Sequence, residues 1–135
     1  MRRSALSLAV VGLLATTPFA AADDAAIHQV IGDQIAAFQS DDFDAAFDYA
    51  SPAIRDIFQT AERFGAMVRQ GYPMVYRPAG FRFLEAREGE RGIVQRVLIT
   101  DDIGRNHLLE YEMVDIEGRY LINGVRFLRG AELGA

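Results

Sequence analysis

The sequence has no cysteine and no lysine among its 135 residues. The lack of cysteine excludes disulfides, thiol catalysis, thiolate zinc sites and a lipid anchor on cysteine, so packing alone must stabilise the fold. The lack of lysine excludes catalysis through a Schiff base on a lysine amine. Long apolar runs are scarce too, because the longest, over residues 5–15, has only eleven residues and a membrane span needs roughly 20.

What the sequence does have at its start is the pattern of a secretory signal peptide. Arg2 and Arg3 precede the apolar run, and three alanines at residues 20–22 follow it. This order is typical of a leader that a signal peptidase removes. It predicts a signal peptide over residues 1–22, cleavage after Ala22, and a periplasmic or secreted protein that keeps no membrane attachment.

The remainder, residues 23–135, is acidic and has the length of a single compact domain with one hydrophobic core. Loss of Arg2 and Arg3 lowers the formal net charge from -5 to -7. Such a surface repels phosphate backbones and anionic lipid headgroups. Nucleic acid and membranes are therefore not expected as partners.

The first half of this domain carries hydrophobic residues at helical spacing. The stripe of the first helix consists of Ile27, Val30, Ile31, Ile35 and Phe38. Asp24 is predicted to cap the start of this helix. Shorter helices are predicted after Asp42, Ser51 and Thr60, the last of them closed by Gly71. In the helix after Ser51, the residues expected to face inward are Ile54, Ile57 and Phe58.

From Tyr72 onward the hydrophobic period shortens to two, which is typical of strands. Residues 74–76 lie between Pro73 and Pro78 and are predicted to form a short edge strand. Longer strands are predicted over residues 81–88, 93–100, 106–114 and 119–128. The pair Asn123-Gly124 leaves two alternatives for the last segment, a hairpin or one strand with a bulge at Gly124, and the bulge is preferred. Helices followed by strands predict an α+β fold.

Several motifs carry a resemblance to known families. The order of helices and strands, ending in residues 118–125, resembles the nuclear transport factor 2-like superfamily, also called cystatin-like. The motifs Ala50-Ser51-Pro52, Met67-Val68, Gly71-Tyr72 and Gln95-Arg96-Val97 resemble a bacterial family known only as a domain of unknown function. The resemblance implies N-terminal helices packed on a curved, mainly antiparallel sheet of conical shape. It also implies a pocket between the sheet and the first helix, and dimers formed through the sheet.

The candidate ligand-pocket residues are mainly aromatic. His107 and Tyr111 share strand parity, so both are expected on the apolar face of the sheet. The residues predicted for the pocket are Tyr72, Tyr76, His107 and Tyr111. His28 is expected to face solvent. The acids near residues 41–48 and 101–102 fit helix capping and turn chemistry, so no metal and no cofactor is predicted.

Three classes of function follow from these observations. The first is a binding or association module that holds a small apolar ligand in the pocket, and the sequence favours it because no acid/base pair can be identified. The second is an enzyme of the isomerase, dehydratase or hydrolase kind that uses a pocket Tyr or His. The third is a structural or partner-binding protein. A pocket acid with a raised pKa would favour the enzyme, whereas an apolar cavity would favour the binder.

The predicted sheet also has a polar face of mixed charge. Its residues are expected to be Gln95, Glu110, Glu112 and Arg126. Such a face can pair with a second copy of itself about a two-fold axis. The sequence therefore predicts a homodimer through the sheet.

Overall fold

The structure, a computed structural model, describes residues 21–129 together with Gly12. The helices of this part are α1 (Ala21–Gln39), α2 (Phe43–Asp48), α3 (Pro52–Phe58), α4 (Ala61–Gly71) and α5 (Pro73–Tyr76). The strands are β1 (Gly80–Glu88), β2 (Ile93–Thr100), β3 (Asn106–Ile116) and β4 (Arg119–Phe127). None of these helices is both long and apolar enough to cross a membrane. The predicted signal peptide lies outside the described residues except for Gly12 and its last two positions.

The first helix supplies the centre of the core. The predicted stripe is confirmed, because the side chains of Ile27, Ile31, Ile35 and Phe38 are fully buried. The predicted cap at Asp24 is wrong, since α1 already begins at Ala21.

Short helices begin where the sequence predicts them. The side-chain oxygens of Asp42, Ser51 and Thr60 accept hydrogen bonds from backbone N–H groups three residues later, at 3.1, 3.3 and 3.2 Å. Each oxygen satisfies a backbone donor that has no partner within the helix. These three caps confirm the starts of α2, α3 and α4.

The four strands form one antiparallel sheet in the order β1-β2-β3-β4. The sheet is curved and does not close into a barrel. Directly paired residues point to the same face, so Gln95 of β2 shares a face with its partner Tyr111 of β3, and Arg96 shares the other with Glu110. We call the side of Gln95 and Tyr111 the helix face and the side of Glu110 the outer face. Helices packed on a curved antiparallel sheet confirm the predicted α+β fold.

The last strand is continuous and bulged. Glu112 pairs with Gly124 and Met113 with Ile122, which leaves Asn123 as the extra residue. This confirms one bulged strand and removes the alternative of a hairpin at Asn123-Gly124. The bulge is tied to the α2–α3 link, because the backbone N–H of Ser51 donates to the carbonyl of Ile122 at 2.8 Å.

The predicted edge strand over residues 74–76 is wrong. This segment belongs to α5, whose backbone N–H of Tyr76 donates to the carbonyl of Tyr72 at 3.1 Å. Pro73 stands at the first helical position, where its missing N–H costs nothing and its fixed φ suits a helix. Gly71 is likewise the last residue of α4 rather than the residue after its end, and Tyr72 is the C-cap.

Two expectations about side-chain direction are also corrected. Ile57 does not face inward, because it is 68% exposed and α3 contains no buried residue. Gln95 does not belong to the outer face with Glu110, because its register with Tyr111 places it on the helix face, where it is fully buried.

Candidate functional site

A cavity of about 230 Å³ lies between the helices and the last two strands of the sheet. Among the described residues that line it, three have polar side chains and the others are apolar. It is lined by Gln34, Phe38, Ala50, Ile54, Ile57, Phe58, Phe64, Met67, Val68, Tyr72, Val75, Tyr111, Ile122, Gly124 and Val125. Ile57 both lines the cavity and is mostly exposed. We therefore place the opening of the cavity at α3.

Two of the three polar side chains of the cavity are already hydrogen-bonded to the backbone. The Tyr72 hydroxyl donates to the carbonyl of Val125 at 3.1 Å, and Gln34 Nε2 donates to the carbonyl of Ala46 at 3.1 Å. The third, Tyr111, is fully buried, and its hydroxyl meets no hydrogen-bond partner among the described residues. Burial, with a smaller effect from Tyr72, raises the pKa of Tyr111 well above its usual value. The phenol is therefore neutral and can donate a hydrogen bond.

The structure brings two of the four predicted pocket residues to this cavity. Tyr72 and Tyr111 line it, and the predicted strand parity of Tyr111 is confirmed. Tyr76 lies elsewhere, with its hydroxyl on Asp41. His107 also lies away from the cavity, with Nε2 at 2.8 Å from the Asp101 carboxylate.

Residues 20–134 match the family described as Domain of unknown function (DUF4864). The chain belongs to this family. The matched range includes every residue that lines the cavity, so the cavity lies wholly within the DUF4864 domain. No match is found among curated proteins.

His107 of the DUF4864 domain lies in β3, and its side chain contacts the preceding turn rather than the cavity. The turn before β3 is organised by Asp101, which accepts hydrogen bonds from the backbone N–H groups of Ile103 and Arg105 at 3.1 and 2.8 Å. The hydrogen bond from His107 has the largest effect on the pKa of Asp101, and together with the backbone bonds it outweighs burial and lowers that pKa from 3.8 to about 2. This arrangement confirms the turn role that the sequence predicts for Asp101.

We expect the Asp101 turn to make the domain sensitive to acid. The folded-state pKa lies below the ordinary value, so the stabilisation is present above pH 4 and is lost as the pH falls toward 2. Melting temperatures of Asp101→Asn and of the exposed control Asp102→Asn, measured by circular dichroism from pH 6 to pH 2, test this. Asp101→Asn should have a lower melting temperature than Asp102→Asn at pH 6, and its melting temperature should fall less on acidification. Parallel curves for the two variants would contradict the assignment.

The outer face of the DUF4864 domain carries an arginine–glutamate cluster. Glu110 is only 2% exposed and pairs with Arg87 at 2.6 Å, with Arg96 at 3.4 Å and with Arg126. Burial raises the pKa of Glu110, but the hydrogen bonds from Arg87 and Arg126 outweigh this effect and hold the pKa below its usual value. The cluster joins strands β1 to β4 across the sheet. We therefore assign the cluster to stabilisation of the sheet.

Sequence reasoning missed the part that His28 plays. The ring of His28 on α1 stacks on Phe83 with centroids 3.9 Å apart, and Nε2 lies 3.1 Å from Gln95 Oε1. Gln95 in turn donates to the carbonyl of Leu84 at 2.9 Å, beside the irregularity in β1. The expectation that His28 faces solvent is therefore wrong. The signal in the sequence was the polar Gln95 at a buried strand position.

The described residues do not include a group of three or more His, Cys, Asp or Glu side chains that could hold a metal ion. The polar groups that meet in the cavity are a phenol, a second phenol and an amide. The Tyr72 hydroxyl and the Gln34 amide already donate to the backbone, so the Tyr111 hydroxyl is the group left to donate a hydrogen bond to a neutral guest. The site is thus suited to hold a small molecule by apolar contact and one directed hydrogen bond.

Proposed function

We propose that this DUF4864 domain is a binding module that holds a small apolar molecule between its helices and its sheet. The observation that carries the proposal is the cavity of about 230 Å³ with a nearly wholly apolar wall. A guest there would bury its surface against Phe38, Phe64 and Val68, and burial of apolar area is the main source of affinity at such sites. Acid–base catalysis draws less support. It needs a carboxylate or an imidazole in the cavity, whereas the polar groups of the described lining residues are two phenols and an amide.

Filling the cavity is expected to weaken binding. Ala50 is 1% exposed and lines the wall, so Ala50→Leu places three more carbon atoms in the space that a guest needs. We expect the dissociation constant for indane, a neutral hydrocarbon of nine carbon atoms, to rise about tenfold or more, as overpacking costs about 1 to 3 kcal/mol. Isothermal titration calorimetry measures it.

The matched control is Ala53→Leu, on the exposed side of α3, which should bind indane as the wild type does. Failure of the wild-type protein to bind indane, or equal binding by both variants, would contradict the proposal.

We further propose that the protein acts outside the cytoplasm. The support is the signal-peptide pattern over residues 1–22. Intact-mass measurement of the exported protein should give a chain that begins at Asp23. A product that keeps residues 5–15 would contradict export by cleavage.

The homodimer through the outer face stays a prediction. The surface that would form it now consists of Glu110, Glu112 and Arg126, without Gln95.

We also propose that the domain belongs with the nuclear transport factor 2-like proteins. The support is the order of helices before a curved antiparallel sheet and the cavity between the two layers. Such a relationship concerns the fold and does not name a reaction.

A further inference from the structure

Tyr111 is the polar group whose position in the cavity the fold itself does not explain. It lies in the middle of β3, between Gln95 of β2 and Val125 of β4. The side chain is fully buried, yet the hydroxyl has no partner among the described residues. Buried hydroxyls in folded proteins nearly always have a partner, because an unpaired one loses the hydrogen bond that it made with water. The described residues therefore leave the hydrogen bond of this hydroxyl unmade, and a guest that displaces the side chains around it can complete that bond.

Tyr72 shows what a satisfied phenol looks like in the same cavity. Its hydroxyl donates to the carbonyl of Val125 at 3.1 Å, and its ring stacks on Phe127 with centroids 4.9 Å apart. Both contacts hold Tyr72 without any guest. The difference between the two tyrosines assigns the free hydrogen bond of the site to Tyr111 and makes Tyr72 a matched control.

The remaining features of the wall restrict the charge of the guest. A carboxylate or an ammonium group would lose its hydration on entering. In return the carboxylate would accept one hydrogen bond from the neutral phenol, and the ammonium group would donate one to the phenol oxygen. Moving a charge into an apolar environment without a counter-charge is strongly unfavourable. The guest that fits is therefore uncharged.

The volume restricts its size. An engineered cavity of about 150 Å³ accommodates benzene, which has six carbon atoms. By proportion, a cavity of about 230 Å³ takes a molecule of roughly nine or ten non-hydrogen atoms. One or two fused rings, or a short branched chain, have this size.

We propose that the natural ligand is an uncharged, mainly apolar molecule of this size with one carbonyl or similar oxygen, and that this oxygen accepts a hydrogen bond from the Tyr111 hydroxyl. This inference rests on the proposed binding function. It adds the ligand's chemical class and the residue that selects it.

The test compares two probes that differ only in a carbonyl oxygen, indane and 1-indanone. Their dissociation constants are measured by calorimetry on the wild-type protein, on Tyr111→Phe and on the control Tyr72→Phe. Taking the ratio of the two constants removes most of the binding energy that comes from the rings that both probes contain. We expect Tyr111→Phe to shift this ratio against 1-indanone by about tenfold, with indane binding unchanged. Tyr72→Phe should leave the ratio as in the wild type.

The outcomes separate this inference from the function on which it rests. If the wild type binds both probes but Tyr111→Phe leaves the ratio unchanged, the ligand class is wrong and the binding function stands. If the wild type binds neither probe, the binding function itself fails.

A second readout uses the unliganded protein. Because the Tyr111 hydroxyl has no protein partner, Tyr111→Phe should keep or raise the melting temperature. A fall of several degrees would show that the hydroxyl stabilises the fold, which would overturn the inference.

Discussion

Replacing Glu110 with glutamine is expected to lower the free energy of unfolding by about 2 to 3 kcal/mol. The carboxylate is 2% exposed and is shared by three arginines, Arg87, Arg96 and Arg126. Glutamine removes the negative charge and leaves the arginines facing one another. Breaking a fully buried ion pair costs about 3 to 5 kcal/mol. The cost is lower here because Arg87 and Arg126 are about half exposed and keep part of their hydration.

Glu85→Gln is the control for this prediction. Glu85 also pairs with an arginine of the cluster, Arg96, at 2.9 Å, but it is 62% exposed. Exposed pairs contribute about 0 to 1 kcal/mol, so this variant should unfold nearly like the wild type. Urea denaturation of the three proteins measures the difference. Similar stabilities for both variants would show that Glu110 is not the centre of the cluster.

Replacing Gly92 with alanine is expected to lower the free energy of unfolding by about 3 kcal/mol, at the upper end of the cost of overpacking. A Cβ atom at Gly92 would overlap the backbone carbonyl oxygen of Met113. Met113 lies in β3, a central strand, and its neighbour across the sheet is Ile93. Backbone within a paired strand cannot move aside as a side chain can, so the β1–β2 turn must shift away from β3.

Gly80→Ala is the matched control, because a Cβ at Gly80 meets no atom within 4 Å. This variant should be neutral, or slightly more stable through the lower entropy of its unfolded chain. Thermal melts of both variants decide the question. A Gly92→Ala protein as stable as Gly80→Ala would mean that the turn is loosely held, contrary to the structure.

Much of the fold could be predicted because its signals are local. The stripe of α1 follows from residue spacing, and the caps at Asp42, Ser51 and Thr60 follow from side chains that accept backbone hydrogen bonds. Strand β2 was predicted with its observed bounds, Ile93–Thr100, since its apolar residues alternate and turn residues flank it on both sides.

The errors fall where local signals are weak. Residues 74–76 are too few to show a period, so a strand and a helical turn could not be told apart, and Pro73 is compatible with a helix start. Ile57 is apolar at helical spacing, yet the neighbouring elements do not cover it. Coverage by other elements is a tertiary property that spacing cannot report.

The site was predictable only in part, for the same reason. The parity of β3 placed Tyr111 correctly because alternation fixes the face. By contrast, Gln34 and α3 line the cavity through the way the helices cross the sheet, and the contact of His28 with Gln95 spans 67 positions. Contacts of that range depend on how the layers are arranged, which a single sequence does not reveal.

The most direct test of the central claim locates a guest within the protein. Nuclear Overhauser effects are measured between 1-indanone and the methyl groups of the purified protein. We predict contacts with the methyls of Met67, Val68 and Val125, which line the cavity. Contacts confined to exposed methyls such as those of Ile103, which is 68% exposed, or no contacts at all, would contradict the claim that this cavity binds small molecules.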